Sequence, residues 1–270
     1  MLDLESLQSK LPQYGLGEPV YYFESVGSTN EVAIEYAHRN VPHGALFIAD
    51  EQTAGRGRDG RRWYTTPKSA LAFSLVLRPQ IKHAESVGFL TVLGTLAIVE
   101  ALDQWKLDAE IKWPNDVLIA GKKVAGVLVE AVWIGDKLEY AILGVGINVG
   151  PDSVPSDKVV DYPATCVEAV VNGKVDRNEL LLEVLKSMGC WYSKIENDDI
   201  REAWERRLAF QGEQVVVTGW KERMLGTVMG VEVDGTLQLV LPSGEQVAVA
   251  VGDVRLRPVD TNSKSTTLGV

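Results

Sequence analysis

Between Val117 and Val149 three runs rich in β-branched residues follow one another with nothing helical between them: Val117 to Ala120, Val124 to Val132 and Tyr140 to Val149. Gly121-Lys122 separates the first two at the spacing of a tight hairpin. Consecutive strands of this kind favour a sheet with helices packed on it over the strand–helix alternation of a doubly wound fold. The flanking sequence agrees. Val20 to Glu24, Ala45 to Ala49 and Ala70 to Leu77 read as further strands, and Val87 to Trp105 as a buried core helix. Ser28 with Glu31 has the spacing of a capping box and starts a helix after the first strand. Thr165 with Glu168 offers a second such cap, and Leu180 to Trp191 and Ile200 to Leu208 carry apolar residues at helical intervals. The expected class is α+β.

Around Gln211 the texture changes. From Glu213 to Pro258 the chain becomes a series of short β-like runs, Val215 to Thr218, Leu225 to Val233, Thr236 to Leu241 and Gln246 to Val251, broken by Gly219, Gly235 and Ser243-Gly244. That is the pattern of a small β-barrel or sandwich. A boundary near Phe210 therefore divides the chain into 1–210 and 211–260. The small, polar residues of 261–270 are expected to fray, and the Pro-rich stretch Pro151 to Pro163 is expected to be a loop.

Composition narrows the function. A formal net charge of −10 over 270 residues argues against broad nucleic-acid binding, which needs an extended basic face. Two cysteines, Cys166 and Cys190, are too few and too far apart for a zinc site or a disulfide framework, which points to a cytoplasmic setting. The N-terminus lacks the basic-then-apolar pattern of a signal peptide. Val87 to Leu102, the most apolar stretch, is shorter than the roughly 20 residues a membrane span needs.

Against that acidic background, Gly55-Arg56-Gly57-Arg58-Asp59-Gly60-Arg61-Arg62-Trp63 gathers four arginines and three glycines. Glycines let a backbone approach a ligand closely, and guanidinium forks hold carboxylate or phosphate oxygens in pairs. Trp63 adds a face on which a base can stack. Taken alone, the loop reads equally well as solvated surface. Lys112-Trp113-Pro114-Asn115-Asp116 brings a cation, an aromatic ring, an amide and a carboxylate to a segment that Pro114 bars from helix. Asp116 is a hard oxygen ligand suited to magnesium and a plausible base, while Asn115 and Asp116 also suit a plain turn. Lys123 can stabilise charge building on a carboxylate and a phosphoryl group; a lysine beside a hairpin turn is more often a solvated edge residue. Gly144-Val145-Gly146-Ile147-Asn148 thins a strand, as close approach of a ligand or another backbone requires.

The order of these segments carries more than any one of them. Ser28-Thr29-Asn30, then Glu51-Gln52-Thr53-Ala54 leading into the arginine loop, Lys112 to Asp116, Lys123 to Glu130 and Gly144 to Val149 together resemble the biotin protein ligases, from about Val20 to Pro258. The resemblance implies a class II synthetase-like catalytic domain built on a mixed, largely antiparallel sheet, followed by a small SH3-like β-barrel. It implies ATP with Mg2+, joining of the biotin carboxylate to AMP with release of pyrophosphate, and transfer of biotin to a lysine of a biotin carboxyl carrier protein. Ser28 and Thr29 would then bond the ureido head of biotin and Gln52 would help hold it, with Asn30 and Lys123 also among the biotin-binding residues. Arg56, Gly57, Arg58 and Gly126 would lie along its chain and carboxylate. Arg58, Arg61, Trp63, Asn115, Asn148 and Arg257 would bind the nucleotide, and Lys123, Arg58 and Asp116 would form the catalytic group, with Lys123 as principal cation and Asp116 assisting the incoming amine. No magnesium ligands are assigned.

Some members of that family carry an N-terminal DNA-binding domain. Only about twenty residues precede the first core strand here, fewer than the ~50 of a small domain, so a ligase without repressor function or DNA contacts is expected, with a homodimer possible. A lipoate or octanoate ligase would share the fold, and an RNA-binding module would use the arginine loop differently. The intact arginine loop and the Lys-Trp-Pro-Asn-Asp segment disfavour the first and the acidic balance the second.

Overall fold

The computed structural model describes residues 2–79, 87–156, 160, 162–194, 198–218, 223–232, 235–250 and 255–258. Its main sheet has seven strands: β1 (Val20–Val26), β2 (Leu46–Gln52), β3 (Ala70–Leu77), β4 (Ala109–Lys112), β5 (Asp116–Ile119), β6 (Lys122–Ile134) and β7 (Lys137–Asn148). They are ordered β1-β2-β3-β7-β6-β5-β4. Only β1 and β2 run parallel, and every other neighbouring pair is antiparallel. The three consecutive strands read from Val117 to Val149 are β5, β6 and β7, so the mixed, largely antiparallel sheet is borne out.

Among the described residues six α-helices accompany the sheet: α1 (Leu4–Lys10), α2 (Thr29–His38), α3 (Gly88–Asp103), α4 (Val167–Val171), α5 (Arg177–Tyr192) and α6 (Asp198–Glu205). Strand alternation divides their packing. Leu71, Phe73, Leu75 and Leu77 of β3 face the main core, which α3 and α5 close, whereas Val76 joins Phe47 and Ile142 beneath Ala33 and Ala37 of α2. α3 is buried almost all round, and among the described residues no helix is long and apolar enough to cross a membrane. Gly94 lets it approach β6, because a Cβ there would sit 2.9 Å from a methyl of Val127.

Several local expectations fail. Ser28 occupies the N-cap of α2 in extended conformation but makes no side-chain cap; the Thr29 N–H donates instead to Gln52 Oε1 at 2.8 Å. Thr165 does not cap α4 either, since Cys166 precedes that helix and Glu168 turns to Lys174 and the Val175 N–H. In both cases a tertiary or loop partner reaches the group before the local box closes. The polar opening hides α1, whose Leu7 is buried in the main core with Leu2, Leu11 and Leu16.

The chain after Phe210 forms a second sheet of β8 (Gln214–Thr218), β9 (Arg223–Val231), β10 (Leu237–Val240), β11 (Gln246–Val249) and β12 (Arg255–Pro258). Its order is β11-β10-β9-β8-β12, all antiparallel. Among the described residues the end strands β11 and β12 do not pair. Residues Val233, Gly219 and Val251 of the expected runs, 157–159 and 161 of the expected loop, and the expected frayed tail 261–270 lie outside the described residues. β12, unread as a strand in the sequence, binds the outer edge of β8. The indole N–H of buried Trp113 donates to Gly235 O at 2.9 Å, tying the second sheet to the β4–β5 turn.

Candidate active site

The face of the main sheet that carries α2 is hollowed by its own sequence. Across the strands, Ala49, Ala72, Gly146, Gly126 and Asp116 stand in one row, and Phe47, Ser74, Gly144 and Leu128 in the next. Small residues at the centre of both rows leave a cavity of about 280 Å³. A Cβ at Gly146 would collide with the indole of Trp63, and one at Gly144 with the amide of Asn30. These glycines are required by close approach of side chains rather than by backbone conformation. Every candidate read from the sequence, from Ser28 to Arg257, lines this one cavity.

Its β2–β3 side is rich in oxygen. Gln52 Oε1 accepts from the Thr29 N–H and from Thr29 Oγ1 at 3.1 Å, and its Nε2 donates to Thr65. Ser74 Oγ lies 2.8 Å from Thr29 Oγ1 and 2.6 Å from Asn30 Oδ1. Two hydroxyl protons serve three oxygen–oxygen contacts along this chain, so it has lone pairs to spare and suits a ligand bringing N–H donors. Ser74 and Asn30 are buried, which makes that unmet capacity costly without a ligand or water.

Three strand spacings away, about 14 Å, β5 and β6 supply cations. A bulge between Val117 and Leu118 in the pairing lets two strand residues face one, and it turns Lys123 onto the same face as Asp116. Lys123 Nζ lies 2.5 Å from Asp116 Oδ1, and Lys112 Nζ 3.2 Å from Asp116 Oδ2. Burial alone would push the Asp116 carboxyl up, but the two ammonium groups more than offset it and hold it well below the usual carboxylate range. Burial also pushes the Lys112 ammonium down, assisted by Arg257 and Lys123 and opposed by Asp116. The ring of Tyr162 takes Lys112 on one contact, 4.9 Å to its centroid, and Arg257 on another at 5.1 Å.

Both oxygens of Asp116 are engaged by lysines. Among the described residues no group of three His, Cys, Asp or Glu side chains could cage a metal ion. Asn115 likewise spends its Nδ2 on Val127 O at 2.7 Å, and Asn148 on Thr165 O at 3.0 Å.

The arginine loop closes the cavity. The Gly57 N–H donates to Arg61 O and the Arg61 N–H to Arg58 O, and Asp59 in the left-handed region accepts from the Arg61 side chain. Arg56 donates to Glu130 Oε2 at 2.6 Å, with Glu31 3.7 Å from its Nε. Trp63 lies against Gly126 and Gly146, with Lys123 Nζ 5.3 Å from its ring centroid. Buried Arg56 Nε and Trp63 Nε1 lack a hydrogen-bond acceptor, two donors in the loop left for a bound molecule. Reading the sequence missed Ser74, Thr65, Tyr162 and Glu130 as parts of the site. Glu130 alone gave a signal, a charge inside a β-branched run; the others look like ordinary strand and loop residues.

Comparison with known proteins comes to the same place. The model of the biotin/lipoate A/B protein ligase family matches residues 22–148. The chain is 34% identical over 231 residues to the biotin--[acetyl-CoA-carboxylase] ligase of Paracoccus denitrificans, covering 83% of this chain and 95% of that protein. It is 32% identical over 235 residues to the bifunctional ligase/repressor BirA of Bacillus subtilis, covering 85% and 71%. Among solved structures, the biotin protein ligase of Aquifex aeolicus in complex with biotin and ATP superposes with a TM-score of 0.75 at 29% identity, over 90% of this chain and all of that one.

Proposed function

The chain belongs to the biotin protein ligases of the biotin/lipoate A/B protein ligase family, and from that premise we propose how its cavity divides the work. The reaction joins a biotin carboxylate oxygen to the α-phosphorus of ATP, breaking the bond to pyrophosphate. An acceptor lysine of a biotin carboxyl carrier protein then attacks the acyl carbon, AMP leaves with the carbon–oxygen electron pair, and the amine proton passes to solvent. The observation that carries this reading is the pairing, in one cavity, of an acceptor-rich pole with a cluster of cations.

In this reading Ser28, Thr29, Asn30 and Gln52 receive the ureido N–H groups, which the surplus lone pairs of Thr29, Ser74 and Gln52 favour. Arg56, Gly57, Arg58 and Gly126 bound the chain and carboxylate of the acid. Lys123 swings between Asp116 and the reacting oxygens, stabilising charge as it develops. Asp116 serves as its anchor, and the amine loses its proton without a dedicated carboxylate base. Arg61, Trp63, Asn115, Asn148 and Arg257 bound the nucleotide. Magnesium, bound through the phosphates of ATP, would neutralise part of their charge; no residue of the cavity is assigned to it, and Asp116 is paired with Lys112 and Lys123. Closure of the loop over the acyl-adenylate shields it from water.

We assign residues 1–210 to the catalytic domain and 211–260 to the second unit, which lends Arg257 to the cavity wall. A homodimer is supported by exposed Ile134 at the β6–β7 turn, and absence of DNA binding by the net charge of −10; sedimentation and mobility-shift measurements test them. For the activity, pyrophosphate release is measured with biotin, lipoate and octanoate in parallel. Release is expected with biotin alone and falls about a hundred- to a thousandfold in Lys123→Ala; release with lipoate instead overturns the substrate assignment.

A further inference from the structure

One carboxylate oxygen touches both halves of the acid-binding cavity. Glu130 Oε2 accepts from Asn30 Nδ2 at 2.7 Å and from the Arg56 guanidinium at 2.6 Å. Asn30 continues to Ser74, Ser74 to Thr29 and Thr29 to Gln52, so a single hydrogen-bonded chain runs from β2 to the arginine loop. Along it three main-chain or charged groups fix polarity: the Thr29 N–H holds Gln52 with its oxygen inward, and Asn30 Nδ2 is drawn by Glu130 and, at 3.5 Å, by Leu128 O. The hydroxyls between them rotate to suit their neighbours, and Glu130 is the one charged acceptor of the chain. A carboxylate only accepts, so it draws Nδ2 of Asn30 toward itself and leaves Oδ1 toward Ser74. That orientation keeps the far end of the chain short of protons. A neutral amide at position 130 would still turn its oxygen to Arg56 and Asn30, but without the charge both bonds weaken, and Asn30 is held less firmly with its oxygen toward Ser74.

Resting on the biotin ligase reading, we infer that Glu130 is the positioning residue that selects a ureido-bearing acid. It holds Asn30 oxygen-inward at one pole of the cavity and the Arg56 fork in place at the other. It touches neither reacting atom, so its effect falls on recognition of the acid and not on the chemical step. Glu31, 3.7 Å from Arg56 Nε, cannot substitute for it, because among the described residues its carboxylate makes no hydrogen bond to the Asn30 amide, which turns to Glu130 and Ser74.

The test compares the wild type with Glu130→Gln, Glu130→Asp and the double variant Asn30→Asp/Glu130→Gln, measuring pyrophosphate release against biotin and octanoate. Wild-type release with biotin establishes the underlying reading; its absence defeats that reading before the variants are consulted. Given that release, Glu130→Gln is expected to raise KM for biotin roughly ten- to hundredfold, the worth of a charge-assisted bond. The kcat at saturating biotin and the KM for ATP stay near wild type, and preference for biotin over octanoate narrows. The carboxylate introduced by Asn30→Asp presents oxygen whichever way it turns and can accept from the amide introduced by Glu130→Gln, so the double variant is expected to recover part of the lost KM. Glu130→Asp keeps the charge and falls between wild type and Glu130→Gln. Unchanged KM for biotin in Glu130→Gln, or no recovery of that KM in the double variant, overturns the inference. Should Glu130→Gln not fold, a KM for biotin in Glu130→Asp equal to wild type does the same.

Discussion

At the residue scale the centre of this protein is a carboxylate between two ammonium groups. Lys112 and Asp116 are 4% and 7% exposed, so removing the shared charge strands a cation in the interior. Asp116→Asn is expected to cost about 3–5 kcal/mol, read as a lower denaturant midpoint, besides weakening the hold on Lys123. The sign of the pH dependence follows from the lowered carboxyl. A carboxyl ionised more readily in the folded state contributes stability that is present above its ordinary value near 4 and drains away as pH falls below it. Wild type should therefore lose stability on acidification in that window and Asp116→Asn should lose less, as equilibrium unfolding between pH 6 and 2 would show. How much of this was legible differs by residue. Lys112 and Asp116 stood out in the sequence, whereas Lys123 taken alone read more readily as a solvated edge lysine, and it is the β5–β6 bulge that turns it inward.

At the scale of elements, packing partners decide what local patterns leave open. Both capping boxes had the right spacing and neither forms, because Gln52 reaches the first turn of α2 and Lys174 reaches Glu168. Gly94→Ala tests the closest helix–sheet contact. Its Cβ would press on Val127, and overpacking of this kind is expected to cost about 1–3 kcal/mol, measured by chemical denaturation. A second test concerns the joint between β1, β2 and α5. Tyr22 donates to Asp50, which also pairs with Arg177 at 2.9 Å. Burial and then that hydrogen bond push the Tyr22 hydroxyl from 10.0 to about 12. The folded state thus favours the protonated phenol, and its contribution is complete below pH 10 and lost as pH rises from 10 to about 12. Tyr22→Phe should flatten that part of the thermal stability profile; an identical alkaline decline in the variant would show that the decline lies elsewhere, for example in Tyr192, which burial also pushes to about 12.

For the whole molecule, ligand binding and folding are linked, since the cavity exists only when β2, β3, β5, β6, β7, the arginine loop and β12 are assembled. Biotin at a hundred times its dissociation constant should stabilise the protein by about 2.7 kcal/mol, seen as a raised unfolding midpoint, while octanoate at equal concentration should give little; equal shifts from both acids would contradict a ureido-selective site. The class of the fold and all the main strands but short β4 were legible along the chain, because each depends on short-range pattern such as β-branched runs and turn residues; the cavity residues were legible only in part, from the order of the motifs and the family they resemble, and Ser74, Thr65, Tyr162 and Glu130 were missed. Which way the charges point emerged with tertiary contact alone. The bulge that re-aims Lys123, the pairing of Asp116 with two lysines, and the reach of Glu130 to both Asn30 and Arg56 join residues that are distant along the chain or reversed in facing. Coulombic and hydrogen-bond energies depend on separations of a few ångströms in a buried setting, and those separations are set by strand register, which no single segment of sequence contains.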